Sequence, residues 1–154
     1  MLDLEIELKK YKHKFEGIVR FSDVDAFGVV HNAKYFIWME AARTEYYKTL
    51  GMVKNPAAFL REYPVMVVHN EIDYFIPAFF NDEYSIYTRI SYIKSSSFCF
   101  ENIVVRNNEI LAKAASVFVF LNAREKRPEK IPDNFRSIFI EFESENMVIY
   151  ESDK

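Results

Sequence analysis

The sequence predicts an α+β fold in which one long helix packs against an antiparallel sheet of five strands. Three observations predict it: a period-two segment at residues 14–22, a helical pattern at 32–50, and four later strand-like segments joined by short turns. Strands that follow one another through short turns form an antiparallel sheet, and the helix is expected to cover one face of it.

The first strand and the helix are each marked by the spacing of their apolar residues. Residues 14–22, KFEGIVRFS, alternate between two faces, which is the period of a strand. From 32 to 50 the apolar positions recur every three or four residues, which predicts a helix of about five turns. His31 or Asn32 is expected to cap its start, and Gly51 is expected just beyond its end.

The four later strands are rich in β-branched and aromatic residues. They are predicted at 65–75, 83–93, 97–106 and 110–122, with the last at the centre of the sheet. Pro56 and Pro64 bracket an irregular connection before them, and Asn107-Asn108 predicts a tight hairpin between the last two. The tail, residues 137–154, is expected to form an extra hairpin about 144–146 or an acidic extension.

The composition excludes several classes of function. No apolar segment approaches the roughly 18 residues that cross a bilayer, so a soluble, cytoplasmic protein without a membrane partner is expected. The net charge is −3, from 20 basic and 23 acidic residues, which leaves no broad basic face for nucleic acid. Cys99 is the only cysteine and the three histidines are far apart, so neither a disulfide nor a metal site is expected.

Residues 20–43, RFSDVDAFGVVHNAKYFIWMEAAR, are the most informative for chemistry. They place Asp23 and Asp25 at the end of a strand, Gly28 in a turn, and then the start of the long helix. The first helical turn carries unsatisfied N–H groups and partial positive charge, which suits a carbonyl oxygen that becomes negative during acyl transfer. Acidic residues also favour loops and helix starts for structural reasons, so this fragment alone fits both interpretations.

The wider pattern resembles a family of thioesterases. The residues that carry the resemblance are Asp25, Gly28, Asn32, Tyr35 and Glu40-Ala41-Ala42-Arg43. They resemble the motif of the 4-hydroxybenzoyl-CoA thioesterase and YbgC-like branch of the hotdog superfamily, D-x-D-x-x-G followed by x-x-Y and E-x-A-R. The segments PVMVVHNEIDYFIPAFFNDEYSIYTRI and SSSFCFENIVV look like later strands of the same family.

The resemblance covers about residues 12–135 and leaves a C-terminal extension, 136–154, outside. It implies a single hotdog domain over 1–154, with the long helix wrapped by a curved antiparallel five-stranded sheet. It also implies hydrolysis of acyl-CoA thioesters to free acid and coenzyme A, without a cofactor because coenzyme A arrives on the substrate.

The same resemblance implies roles for three residues of the loop. Asp25 is expected either to attack the thioester carbonyl, forming a transient anhydride, or to activate water as a general base. The backbone N–H of Asn32 is expected to polarise the carbonyl. Gly28 is expected to let the loop turn tightly enough to approach the substrate.

The chain departs from the family pattern at the helix start. The YbgC-like branch often has His where this chain has Asn32, whereas His31 stands one residue earlier. His31 is therefore expected to act either as a catalytic acid or as a cap beside the substrate. Asp23 is expected to orient the loop by hydrogen bonds, and Tyr35 to pack against the loop and position it for substrate binding.

The phosphates of coenzyme A require nearby cations. Lys94, Ser95 and Ser96 stand at the turn that contacts the nucleotide in related proteins, so they are the first candidates for binding it. A second candidate patch consists of Arg124, Lys126 and Arg127.

Other functions stay open at this point. The substrate could be an acyl carrier protein thioester, or the protein could bind acyl thioesters without cleaving them. A dehydratase is disfavoured because no histidine stands at the loop position of its base. One helix cannot cover a five-stranded sheet alone, so a homodimer or homotetramer is expected.

Overall fold

The computed structural model describes residues 2–151, so residues 1 and 152–154 of the predicted 1–154 domain lie outside it. The chain forms two compact units. The first comprises the chain up to Tyr46 together with Ile72–Thr88 and Asn102–Ala114. The second comprises Tyr47–Glu71, Arg89–Glu101 and the chain from Ala115 onward. The single hotdog domain stays a prediction.

The long helix and the five antiparallel strands of the predicted fold are present. The helices are α1 (Leu2–Leu8), α2 (Lys34–Thr49), α3 (Pro56–Glu62) and α4 (Asp133–Glu143). The strands are β1 (His13–Ile18), β2 (Val65–Tyr74), β3 (Glu83–Ile93), β4 (Ser97–Arg106), β5 (Glu109–Phe120) and β6 (Val148–Ile149). None of the described helices is both long enough and apolar enough to cross a membrane.

The sheet order is β1-β3-β4-β5-β2, and the two-residue β6 pairs with β3 in parallel. The central strand is therefore β4, and the prediction that residues 110–122 form the centre was wrong by one strand. The hairpin predicted at Asn107-Asn108 is confirmed, since both residues have positive φ angles, 49° and 63°, as a two-residue turn of this type requires.

The tail forms a helix, and the predicted hairpin about 144–146 was wrong. Its apolar residues Phe135, Ile138, Phe139 and Phe142 recur at helical spacing on α4, and Phe139 is fully buried. Burial of the apolar face of α4 favours the helix, because its contribution to the free energy of folding outweighs a weak local preference for strands.

The connection predicted as irregular contains the short helix α3. Asn55 caps it by accepting the N–H of Ala58 at 3.1 Å, and Pro56 occupies its first turn. Both features mark a helix start, and the interpretation of Pro56 as a simple break missed them.

The core of the first unit joins α2 to the sheet. It includes Tyr35, Trp38, Met39 and Ala42 of α2 with Ile86, Val104 and Leu111 of β3, β4 and β5. The Trp38 ring stacks on Tyr84 with centroids 4.1 Å apart. Gly17 of β1 makes room for this stack, because a Cβ there would lie 2.5 Å from the Tyr84 hydroxyl.

The second unit has an aromatic core, in which Phe98 contacts Phe100, Phe118 and Phe139 with ring centroids 5.4–5.8 Å apart. The end of α2 lies in this unit. Gly51 has a φ of +72° there, as predicted for the residue just beyond the helix.

Candidate active site

The loop between β1 and α2 is a tight turn built around Asp25. Val24 and Val30 form an antiparallel bridge, and the Asp25 N–H donates to the Val29 carbonyl at 2.9 Å. The Gly28 N–H donates to the Asp25 carbonyl at 3.0 Å. Gly28 has a φ of +78°, and a Cβ there would meet nothing within 4 Å, so the turn requires glycine for its backbone conformation.

The Asp25 side chain is half-buried and held by its own turn. Its Oδ1 accepts the N–H of Phe27 at 2.8 Å, which fixes the direction of the carboxylate. Within residues 2–151 no group donates a hydrogen bond to its Oδ2. One carboxylate oxygen therefore orients the side chain while the other is available to a ligand.

Asp23 ties the loop to the helix, as predicted. Its buried carboxylate accepts the N–H of Arg20 at 3.0 Å and the indole N–H of Trp38 at 3.3 Å. Its carbonyl accepts the N–H of His31 at 2.9 Å. Asp23 thus links the end of β1 to the start of α2.

Several backbone groups at the start of α2 are paired. The His31 carbonyl accepts the Lys34 N–H at 2.9 Å, and the Asn32 carbonyl accepts the Tyr74 hydroxyl at 2.9 Å. The Ala33 N–H donates to the His31 ring at 3.1 Å. No acceptor for the Asn32 N–H exists among the described residues. This donor is available at the positive end of the helix.

The His31 ring closes the turn just before α2, which begins at Lys34. Its Nδ1 accepts the Ala33 N–H, so in the neutral ring the hydrogen lies on Nε2. Its predicted contact with substrate stays a prediction, as does the acid role.

A cavity of about 400 Å³ brings together three of the predicted site residues, Asp25, Asn32 and Tyr35. Its opposite wall comes from the end of β2 and the residues after it, Tyr74, Phe75, Ile76 and Pro77. Sequence reasoning treated this run as a strand and turn only. The available signal was Pro77, because proline is disfavoured inside a strand and therefore indicates that β2 ends before it.

Tyr35 is buried in the wall of this cavity, and its predicted role in positioning the loop for substrate stays a prediction. It is 2% exposed, and its hydroxyl shares a hydrogen bond with the backbone of Ala78. Burial raises the pKa of Tyr35, so the hydroxyl stays protonated. Its ring meets Tyr74 edge to face with centroids 5.3 Å apart, which braces the far wall of the cavity.

Other predicted residues do not line this cavity. Gly28 sets the backbone conformation of the loop, and His31 holds the turn before α2 through both its ring and its backbone. Lys94 belongs to the second unit, where its Nζ lies 5.4 Å from the ring centroids of both Tyr92 and Tyr150. The carbonyls of the adjacent Ser95 and Ser96 accept backbone N–H groups of Ile131 and Phe120. The nucleotide-binding role of Lys94, Ser95 and Ser96 stays a prediction.

A family model described as the thioesterase-like superfamily matches residues 19–139. The chain belongs to this superfamily. The resemblance predicted from the loop and helix motif is thereby confirmed, together with the hotdog fold. Over residues 2–151 no three His, Cys, Asp or Glu side chains are grouped so as to hold a metal ion.

This thioesterase-like protein has relatives of known name. The acyl-CoA thioesterase YbgC of Haemophilus influenzae is 30% identical over 121 residues, which are 79% of this chain and 89% of that protein. The chloroplastic acyl-acyl carrier protein thioesterase ATL3 of Arabidopsis thaliana is 27% identical, over 84% of this chain and 68% of that protein. A Thermus thermophilus thioesterase solved with coenzyme A and zinc superposes with a TM-score of 0.77 at 29% identity, covering 88% and 96% of the two chains.

Proposed function

We propose that this protein hydrolyses acyl-CoA thioesters to a free acid and coenzyme A. The observation that carries the proposal is the shared cavity of Asp25 and Asn32, which places a carboxylate beside an N–H without a partner among the described residues. A thioester needs a base or nucleophile near its carbonyl carbon and a donor near its carbonyl oxygen. The cavity supplies one of each.

In the general-base form of the reaction, the Asp25 carboxylate takes a proton from water as the water oxygen attacks the carbonyl carbon. The carbonyl oxygen becomes negative and is stabilised by the Asn32 N–H and the positive end of α2. The C–S bond then breaks, and the coenzyme A thiolate leaves. In the nucleophilic form the Asp25 carboxylate itself attacks the carbonyl carbon, the C–S bond breaks and the thiolate leaves, and water then cleaves the resulting anhydride to release the acid and restore Asp25. Both forms use the same carboxylate.

The named relatives support a thioester substrate and differ in its carrier. The H. influenzae relative is an acyl-CoA thioesterase, and the A. thaliana relative acts on acyl carrier protein. The T. thermophilus structure contains coenzyme A. Coenzyme A is proposed as the carrier because the acyl-CoA thioesterase of H. influenzae is more similar to this chain than the A. thaliana protein is. Its sequence identity is higher, and a larger share of its own length is matched.

The test is a hydrolysis screen of purified protein against short, long and aromatic acyl-CoA esters, with release of free thiol as the measurement. At least one ester is expected to be cleaved at a rate proportional to protein concentration. A parallel arm with acyl carrier protein thioesters separates the two carriers. Tight binding of an ester that stays intact would instead identify a non-catalytic acyl-thioester-binding protein, and no cleavage of either carrier would refute the proposal.

We also propose that the protein works as a homodimer or homotetramer, with a second copy covering β2. This strand lies at the edge of the sheet, and Met66, Val67 and Val68 on it are each at least 44% exposed in the single chain. Three consecutive apolar residues on an open edge are an aggregation hazard unless a partner covers them. Sedimentation is expected to give at least twice the monomer mass, and a monomer at assay concentration would contradict this.

A further inference from the structure

We infer that Tyr74 is a positioning residue, whose hydroxyl holds the Asn32–Ala33 peptide so that the preceding Asn32 N–H points at the thioester carbonyl. This inference rests on the proposed function. Tyr74 lies at the end of β2, more than forty residues after Asn32, and no motif in the loop points to it.

The geometry shows how the peptide is held. Its carbonyl oxygen, from Asn32, accepts the Tyr74 hydroxyl at 2.9 Å. Its N–H, from Ala33, donates to His31 Nδ1 at 3.1 Å. The preceding peptide is held as well, because the His31 carbonyl accepts the Lys34 N–H. Hydrogen bonds on both sides of Asn32 therefore restrict its φ and ψ and fix the direction of its own N–H.

The Tyr74 side chain is itself well placed for this task. Its ring packs edge to face on Tyr35, which is buried and hydrogen-bonded to the backbone of Ala78. Partial burial raises the pKa of Tyr74, so its hydroxyl stays protonated and remains a donor at neutral and mildly alkaline pH. Tyr74 is 45% exposed and lines the same cavity as Asp25 and Asn32.

The test is Tyr74→Phe, which removes the hydroxyl and keeps the ring. The expected result is a fall in kcat of roughly three- to tenfold, the effect of losing one neutral hydrogen bond. KM is expected to change by less than about twofold, because the N–H matters most when the carbonyl oxygen is negative. Tyr87→Phe is the matched control, since Tyr87 lies on β3 in the same unit and does not line this cavity.

Amide hydrogen exchange gives a readout that does not depend on turnover. The Ala33 amide is expected to exchange faster in Tyr74→Phe than in the parent or in Tyr87→Phe, at an unchanged free energy of unfolding. In an active enzyme, an unchanged kcat overturns the inference, as does a rise in KM alone, which would make the hydroxyl a substrate contact. If the parent cleaves no thioester, the proposed function fails. In that case the exchange measurement still tests the inference by itself. Unchanged Ala33 exchange in Tyr74→Phe would overturn it, and faster exchange would support the conclusion that the Tyr74 hydroxyl holds the Asn32–Ala33 peptide.

Discussion

Replacing Asp25 by asparagine is expected to lower kcat for thioester hydrolysis by at least about 10²-fold, the scale of one catalytic acid–base group. Asparagine cannot take a proton from water and is a poor nucleophile, so the variant removes both proposed forms of the reaction. Its amide oxygen can still accept the Phe27 N–H that orients Asp25. The turn, and therefore the free energy of unfolding, is expected to be preserved.

The matched control is Asp3→Asn, which removes an exposed carboxylate from α1, outside the cavity and away from β2. Its kcat is expected to stay within about twofold of the parent, as for a surface substitution. Steady-state kinetics and urea unfolding on both variants complete the measurement. A folded Asp25→Asn protein with full activity would remove Asp25 from the mechanism.

Replacing Asn32 by proline is expected to lower kcat by about 10²- to 10³-fold, the effect of losing one oxyanion donor. Proline has no N–H, and within the described residues the Asn32 N–H bonds to nothing, so no internal hydrogen bond is lost. Proline is also tolerated next to a helix start. The loss should therefore appear in the rate much more than in stability.

Asn32→Ala is the comparison that separates backbone from side chain. It keeps the N–H, so its kcat is expected to fall far less than that of Asn32→Pro or Asp25→Asn. Circular dichroism and thermal unfolding check that proline has not melted the first turn of α2. If Asn32→Ala lowers kcat as much as Asp25→Asn does, at an unchanged free energy of unfolding, then the amide side chain of Asn32 takes part in the chemistry.

The elements with strong local signals could be predicted from the sequence. The helix α2 has a long period-3.6 pattern and a glycine with positive φ beyond its end, and β3 and β4 match the predicted segments exactly at both ends. The end of β1 could not be placed. The alternation of KFEGIVRFS continues past Ile18, but residues 21–23 form a 3-10 turn. The carboxylate of Asp23 in this turn accepts the indole N–H of Trp38, which is distant in the sequence.

The candidate site was predictable where it is local and hidden where it is not. Asp25, Gly28 and Asn32 lie within eight residues, so a motif can show them. Tyr74 reaches Asn32 only because the fold brings the end of β2 to the start of α2. The resemblance points to the Asn32 N–H as a donor, but whether that N–H is left without a partner depends on the folded backbone around it.

The lone tryptophan makes the candidate catalytic loop observable by fluorescence. Trp38 is 5% exposed, stacks on Tyr84 and donates its indole N–H to Asp23, which also holds the loop that carries Asp25. Indole emission responds to the polarity and hydrogen bonding around the ring. The indole emission of the protein therefore originates in the first unit, and a ligand that shifts the loop is expected to change the emission wavelength without any attached dye.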